Sequence, residues 1–212
     1  MTGSAFDQST NALNDQADRD QADWAVQRGV TSSQHFRGVD EELIHQGAVI
    51  GLYNRTIEGP DGARFQRDLV RHPGAVAVVA LDGADVLLVK QYRASVDGDL
   101  IEIPAGKRDV ADEPPVLTAH RELAEEVGMQ AGSMELLLNI HHSPGFCDEY
   151  GFIYLARDLA SVPDRREGPE EEAMSVLRVS LQEAVAMCFD GRITDAKSIC
   201  GILATDRHIA TG

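Results

Sequence analysis

The segment "PPVLTAHRELAEEVGM" (residues 114–129) has the periodicity of one amphipathic helix. Val116, Leu123 and Val127 recur at spacings that place them on a single apolar stripe. The two prolines suit a first turn, where a missing N–H group does no harm, and Gly128 is typical of the left-handed residue that follows a last turn. The sequence therefore predicts a short helix that packs on a core through this stripe.

Three glutamates share one edge of this helix. Glu122 and Glu126 are one turn apart, so their Cβ atoms lie about 5–6 Å from each other, and Glu125 falls between them. Such like charges repel, and Arg121 can neutralise part of the edge. Most acidic runs on helices are only solvated faces. However, hard divalent cations such as Mg²⁺ bind carboxylates together with water and substrate phosphates, so the cluster also suits a metal-assisted diphosphate site.

Strands flank the helix on both sides. The runs "GAVAVVALD" (74–82) and "DVLLVKQYR" (85–93) are almost continuously aliphatic, which is typical of strands buried on two faces. Other segments extend this pattern, namely a hairpin around the turn "GPDG" (59–62), strands in 99–106, 134–142, 149–159 and 174–180, a helix from near Leu181 and a closing helix over 194–208. The mixture predicts an α/β sandwich.

Composition limits the classes of partner. The chain has 212 residues and a net charge of −16, which disfavours nonspecific binding to nucleic acid or to an anionic membrane. Its three cysteines have no CxxC spacing, as expected in a reducing cytosol, and no signal peptide or membrane-spanning run is apparent. We therefore expect a soluble cytoplasmic protein with no nucleic-acid or membrane partner.

Three regions are expected along the chain. Residues 1–37 are polar, apart from Trp24, and suggest a mobile N-terminal arm. Residues 38–71 would form an N-terminal β subdomain, and residues 72–212 the main domain. The sequence leaves open whether Trp24 anchors the arm or has no role.

The stretch from Gly106 to Met129 resembles the Nudix box, G-x5-E-x7-R-E-U-x-E-E-x-G-U, where U is a bulky aliphatic residue. Glu113 has the required spacing to Arg121, whereas the loop "GKRDVADE" (106–113) carries one inserted residue. Four further segments are similar to the ADP-ribose pyrophosphatase branch of that family: "HPGAVAVVAL" (72–81), "VKQYR" (89–93), "IEIPAGK" (101–107) and "PGFCDE" (144–149). The resemblance covers roughly residues 44–204.

The resemblance implies an α/β/α sandwich with a mixed sheet and a small N-terminal β-hairpin subdomain. It implies hydrolysis of ADP-ribose to AMP and ribose 5-phosphate with Mg²⁺, for which Mn²⁺ can substitute. It also implies a homodimer with exchanged N-terminal strands. Two alternatives stay open: the same chemistry on a sugar nucleotide, NADH or an oxidised nucleotide, and a non-catalytic sensor that binds ADP-ribose. The sensors of this family carry a basic segment after the domain, whereas residues 164–172 are acidic.

By the same resemblance, Glu122 and Glu126 are the main Mg²⁺ ligands, and the carbonyl group of Ala105 completes the metal shell. Glu125 is an additional or water-mediated ligand with a catalytic role.

Four residues of the box have structural roles in this resemblance. Glu113 pairs with Arg121 and holds the loop on the helix, while Gly106 and Gly128 shape the backbone at either end.

Two cations are expected at the substrate. Arg93 would contact the diphosphate, because a guanidinium fits phosphate oxygens in a bidentate manner, and Lys107 would also bind substrate. Arg64 and Arg67 in the hairpin either reach substrate across the dimer or are surface charges, and the sequence does not separate the two.

A loop glutamate, Glu149, would orient or deprotonate the attacking water, with Asp148 as its competitor for that role. Cys147 has no evident partner base and is expected to be a tolerated small residue. His141 and His142 are adjacent on a strand and point to opposite faces, which argues against a shared zinc ion.

Overall fold

A seven-stranded sheet and a separate three-stranded sheet organise the computed structural model, which describes residue 33, residues 35–163 and residues 173–211. The strands are β1 Arg37–Gln46, β2 Gly51–Glu58, β3 Arg64–Arg71, β4 Ala75–Asp82, β5 Asp85–Arg93, β6 Gly98–Glu102, β7 Ala105–Lys107, β8 Met129–His141, β9 Tyr150–Ser161 and β10 Ser175–Ser180. The helices are α1 Pro115–Val127, α2 Leu181–Asp190 and α3 Ala196–Thr211.

The large sheet is mixed, as the sequence predicts. Its order is β10-β5-β4-β9-β8, with β6 beside β5 and β7 beside β4. Only the central β4 and β9 run parallel, and the other pairs are antiparallel. Alternate residues of β4 enter different cores: Val76 and Val78 pack with α1, whereas Ala77 and Val79 pack with α2 and α3. This burial on two faces makes the domain the expected α/β/α sandwich.

Helix α1 has the predicted bounds for the predicted reasons. It begins at the second proline and ends at Gly128, whose φ of 64° is left-handed and whose N–H donates to the carbonyl group of Ala124. Val116 and Leu123 are fully buried and Val127 nearly so. Packing of this stripe on the sheet fixes the direction in which the glutamates project.

The segment before α1 departs from the prediction of one continuous strand over 99–106. It divides into β6, which pairs with β5, and the short β7, which pairs with β4. The chain changes partner at Ile103 and Pro104, because proline has no N–H group to donate to a ladder. The change brings the backbone of Ala105 and Gly106 to α1.

The N-terminal sheet contains the predicted hairpin of β2 and β3 and one strand more. The sequence predicts only the hairpin, but β1 pairs with β2 in an antiparallel arrangement with two register shifts. The sequence pattern does not indicate β1, because most of its residues are polar and exposed and no alternation of apolar residues marks a buried face. Trp24 and most of the predicted arm lie outside the described residues, and β1 begins at Arg37, the last residue assigned to that arm. Among the described helices, none is long and apolar enough to cross a membrane.

Candidate active site

An open pocket of about 880 Å³ collects side chains from α1, β5, β6, β7, the loop before β9 and the start of α3. Two groups of residues in it are named here. The glutamate wall is Glu122, Glu125 and Glu126 of α1. The Glu102 cluster is Arg93, Glu102, Asp195 and Lys197. All of these line the pocket, so the fold brings the predicted Arg93 to the predicted glutamates.

Two members of the glutamate wall are buried. Glu122 is 8% exposed and Glu126 is 5% exposed. Burial raises the pKa of Glu122 to about 7, against the opposing charge of Arg121. Burial also raises the pKa of Glu126 to about 8, although the N–H group of Ala105 donates to its Oε2 at 2.8 Å. For both carboxylates, the effect of burial therefore outweighs the favourable contacts that they receive.

Arg121 organises the outer side of this wall. Its Nη1 lies 2.8 Å from Glu122 Oε1 and 3.0 Å from Glu125 Oε2, and its Nη2 lies 3.4 Å from Glu113 Oε2. Glu113 also accepts a hydrogen bond from Thr118 Oγ1 at 2.8 Å. The predicted contact between Glu113 and Arg121 is thus present, and it holds the loop on the helix.

The inserted residue in the loop is accommodated without disturbing α1. Asp112 adopts a left-handed backbone with φ of 60°, and Asp109 Oδ1 approaches Arg121 Nη2 at 3.7 Å. The N–H group of Arg108 donates to the carbonyl group of Gly74, which ties the loop to the start of β4.

Glycine at position 106 leaves the space that Glu122 occupies. A Cβ atom there would stand 1.9 Å from Glu122 Cδ. The donor set beside it suits a divalent cation, because Glu122 and Glu126 are buried carboxylates whose pKa values are raised by burial, and the Ala105 backbone lies beside them. Across the described ranges, no three acidic, histidine or cysteine side chains converge as a ready-made metal site. Arg121 Nη1 contacts both Glu122 and Glu125, at 2.8 Å and 3.0 Å.

The Glu102 cluster is a second network of charges. Glu102 is 1% exposed, and its carboxylate accepts from Arg93 Nε and Nη2, both at 2.7 Å. Lys197 Nζ lies 2.5 Å from Glu102 Oε2 and 2.9 Å from Asp195 Oδ1. Burial by itself would raise the pKa of Glu102, but the two cations outweigh it and lower that pKa to about 2.

In the loop before β9, the two candidates for the general base, Asp148 and Glu149, have different contacts. Glu149 lines the pocket, and its Oε1 stands 3.8 Å from His72 Nδ1 and 3.8 Å from His142 Nε2. Asp148 instead accepts hydrogen bonds from Arg71 Nη1 at 2.8 Å and from the N–H group of His72 at 2.9 Å. Asp148 therefore anchors the loop, and Glu149 is the carboxylate turned to the pocket.

The remaining predicted residues divide between the pocket and the surface. Lys107 lines the pocket. Arg64 pairs with Glu58 at 3.0 Å, and Arg67 lies 4.6 Å above the ring of Phe65.

The histidines and the loop cysteine lie as the sequence predicts. His141 packs edge-on against Tyr150, whereas His142 lines the pocket, so the adjacent histidines do point apart. Cys147 is buried, and burial raises the pKa of its thiol, which does not suit a nucleophile.

Sequence reasoning missed several pocket residues, namely His72, Gln91, Glu102, Asp195 and Lys197, and did not assign His142 to the site. The sequence signal that could have indicated this part of the site is Lys197, a lysine in the first turn of the predicted closing helix, where a cation is unfavourable.

Comparisons with known proteins agree with this geometry. The NUDIX domain family matches residues 71–200. An ADP-ribose pyrophosphatase of Bacillus subtilis is 38% identical over 77% of this chain and 89% of its own length. Another, from Mycobacterium tuberculosis, is 39% identical over 84% of this chain and 86% of its own length.

A crystal structure of an ADP compounds hydrolase shares the fold. Its TM-score is 0.74 with 20% sequence identity, and the match covers 86% of this chain and 98% of that one. The glutamate helix, its glycine-containing loop and these matches have one explanation: the chain belongs to the Nudix hydrolase family, in the branch that includes the two ADP-ribose pyrophosphatases.

Proposed function

We propose that the protein hydrolyses the diphosphate bond of ADP-ribose, with Mg²⁺, to AMP and ribose 5-phosphate. The observation that carries this proposal is the pair of buried glutamates, Glu122 and Glu126, in one pocket with Arg93. Buried carboxylates are stabilised by bound cations, and a guanidinium group in the same pocket can bind phosphate oxygens. The two relatives named ADP-ribose pyrophosphatase support this choice of substrate.

Glu122, Glu126 and the carbonyl group of Ala105 would hold Mg²⁺, and Mn²⁺ would serve in its place. Glu125 would join them, directly or through water, after leaving Arg121. A divalent cation bound there neutralises charge on the phosphate oxygens and lowers the pKa of bound water. Gly106 keeps Glu122 in place by leaving room for its carboxylate.

The other residues bind substrate and move a proton. Arg93 and Lys107 would bind the diphosphate oxygens. Glu149 would accept the proton of the water that attacks phosphorus, while the bond from that phosphorus to the bridging oxygen breaks. The positions of Glu149 in the pocket and of Asp148 in the loop anchor support this assignment.

We also propose a homodimer in which residues 44–70 form much of the interface, with exchanged N-terminal strands. Several apolar side chains of this region are exposed, among them Ile44, Val49, Ile50 and Leu52. Analytical ultracentrifugation at micromolar concentration should show a dimer. A fully active monomer would refute it.

The free cysteines, Cys147, Cys188 and Cys200, support a cytoplasmic location.

A substrate panel tests the proposed reaction. Purified protein with Mg²⁺ is offered ADP-ribose, a sugar nucleotide, NADH and an oxidised nucleotide, and products are identified by mass spectrometry. AMP and ribose 5-phosphate should form from ADP-ribose, and chelation by EDTA should abolish the reaction. Faster cleavage of another substrate would reassign the specificity. Tight binding of ADP-ribose with no cleavage would indicate a sensor.

A further inference from the structure

Lys197 occupies a position that is unfavourable for a lysine in two respects. It is the second residue of α3, so its ammonium group lies at the positive end of the helix macrodipole. Its side chain is also only 11% exposed, so the charge has lost most of its hydration. The helix does not need a cation here, because Asp195 already accepts the N–H group of Ser198 at 2.9 Å. The contacts of Lys197 must account for its presence.

Those contacts lead to Arg93 through one carboxylate. Glu102 Oε2 accepts from Lys197 Nζ at 2.5 Å and from Arg93 Nη2 at 2.7 Å, while Oε1 accepts from Arg93 Nε. Two cations from opposite ends of the domain sequence thus share a carboxylate that is 1% exposed. Arg93 donates to both oxygens of Glu102, and Lys197 adds a second charged donor at Oε2, so rotation of the carboxylate would break contacts to both cations.

The orientation of Arg93 matters because only part of its guanidinium is bound to Glu102. Nε and Nη2 bind Glu102, whereas the described residues offer Nη1 no hydrogen-bond partner. Arg93 lines the pocket, so this amino group is available to an anion there. Any turn of the Glu102 carboxylate would turn the guanidinium with it and move Nη1.

We propose that Lys197 is a positioning residue, which holds the Arg93 guanidinium through Glu102 in the orientation that receives the substrate diphosphate. The proposal rests on the proposed function of the pocket. It differs from a purely structural role, because α3 has a separate attachment to the sheet: Ser198 Oγ accepts the N–H group of Ile103 at 2.9 Å. Removal of Lys197 should therefore leave the helix docked.

A double-mutant cycle tests this assignment. The variants are Lys197→Met, Arg93→Ala and the double variant, with Lys90→Met as the matched control. Lys90 lies on β5 and, like Lys197, pairs with a carboxylate, that of Asp99 at 3.1 Å, but it does not line the pocket. The measurements, with Mg²⁺ throughout, are KM and kcat for ADP-ribose, Kd for its non-hydrolysable methylene analogue by calorimetry, and Tm.

Lys197→Met should raise KM and Kd about tenfold and change kcat less than about threefold, since residues in one network are coupled on that scale. The double variant should bind no more weakly than Arg93→Ala, because Lys197 acts through Arg93. Lys90→Met should match the wild type. Additive losses would overturn the proposal in favour of direct substrate binding by Lys197. A lowered Tm with unchanged KM and Kd would overturn it in favour of a structural role.

Failure of the proposed function would look different. If the wild type bound the analogue but did not cleave ADP-ribose, hydrolysis would be refuted, and the ratios of Kd would still decide the role of Lys197. If the wild type did not bind the analogue, the diphosphate site and the positioning role would both be refuted.

Discussion

The glutamate wall and the Glu102 cluster line the same pocket, and their buried glutamates have opposite electrostatic character. In the glutamate wall, burial raises the pKa of Glu122 to about 7 and that of Glu126 to about 8. In the Glu102 cluster, Glu102 is even less exposed, yet Arg93 and Lys197 overcome the effect of burial and lower its pKa to about 2. The difference teaches that burial alone does not identify a reactive carboxylate. The carboxylates without sufficient positive charge are the candidates for binding a cation.

The largest effect is expected for Glu149, which belongs to neither group and is flanked by His72 and His142. Glu149→Gln should lower kcat by about 10²–10⁴-fold and leave KM almost unchanged, the usual effect of losing a positioned general base. Higher pH should partly restore the rate, because hydroxide can replace the base. Steady-state kinetics across pH would measure both effects.

Asp148→Asn is the matched control for Glu149→Gln. It should cost stability more than rate, because Asp148 anchors Arg71. If Asp148→Asn lowered kcat more than Glu149→Gln does, the two roles would have to be exchanged.

The comparison predicts that Glu126 is needed for activity and not for folding. Glu126→Gln should lower kcat by about 10²–10³-fold, as loss of a charged group at a reacting phosphate does. The fold should persist, because the amide oxygen can still accept from the N–H group of Ala105. Circular dichroism and turnover should be measured on the same sample. An unchanged spectrum with turnover within twofold of the wild type would remove Glu126 from the metal site.

A smaller effect should follow from moving one carboxylate of the glutamate wall while keeping its charge. In Gly106→Ala, the new Cβ would overlap Glu122 Cδ, at 1.9 Å, so the end of that side chain must shift. A displacement of about 1 Å at a reacting centre can cost about 10²-fold in rate. Thermal unfolding should change little, since only a flexible end moves. Full activity of this variant would show that the position of Glu122 is not critical.

The Glu102 cluster should respond in stability. The pKa of Glu102 in the folded protein, about 2, lies below the ordinary value of 4.5. The stabilisation that the ionised Glu102 contributes is therefore complete above about pH 5 and is lost as pH falls from there towards 2. Glu102→Gln should lower the free energy of unfolding by about 3 kcal/mol at pH 7, because it removes the buried carboxylate that pairs with Arg93 and Lys197. The deficit should shrink steadily as pH falls from 5 towards 2. Urea unfolding at three pH values would check this, and a deficit independent of pH would contradict it.

Much of α1 could be predicted from local sequence. Its apolar stripe, the proline start and the stop at Gly128 are properties of neighbouring residues, and the structure has all of them. The glutamate cluster follows from the same helical spacing. By contrast, β1 was missed because its polar, exposed residues carry no periodic signal, and the division of the 99–106 strand depends on which neighbouring strands are within reach.

The sequence by itself determined the helix, the row of glutamates on its edge and the family, because these depend on spacing within one short segment. Only the tertiary structure decided which acidic residues have partners that are distant in sequence. Lys197 meets Glu102 across 95 positions of sequence, and Arg71 meets Asp148 across 77. A carboxylate's pKa depends on its burial and on charges within a few ångströms, and packing of distant segments supplies both. Glu102, Glu122 and Glu126 line one pocket, yet the pKa of Glu102 is lowered whereas those of Glu122 and Glu126 are raised.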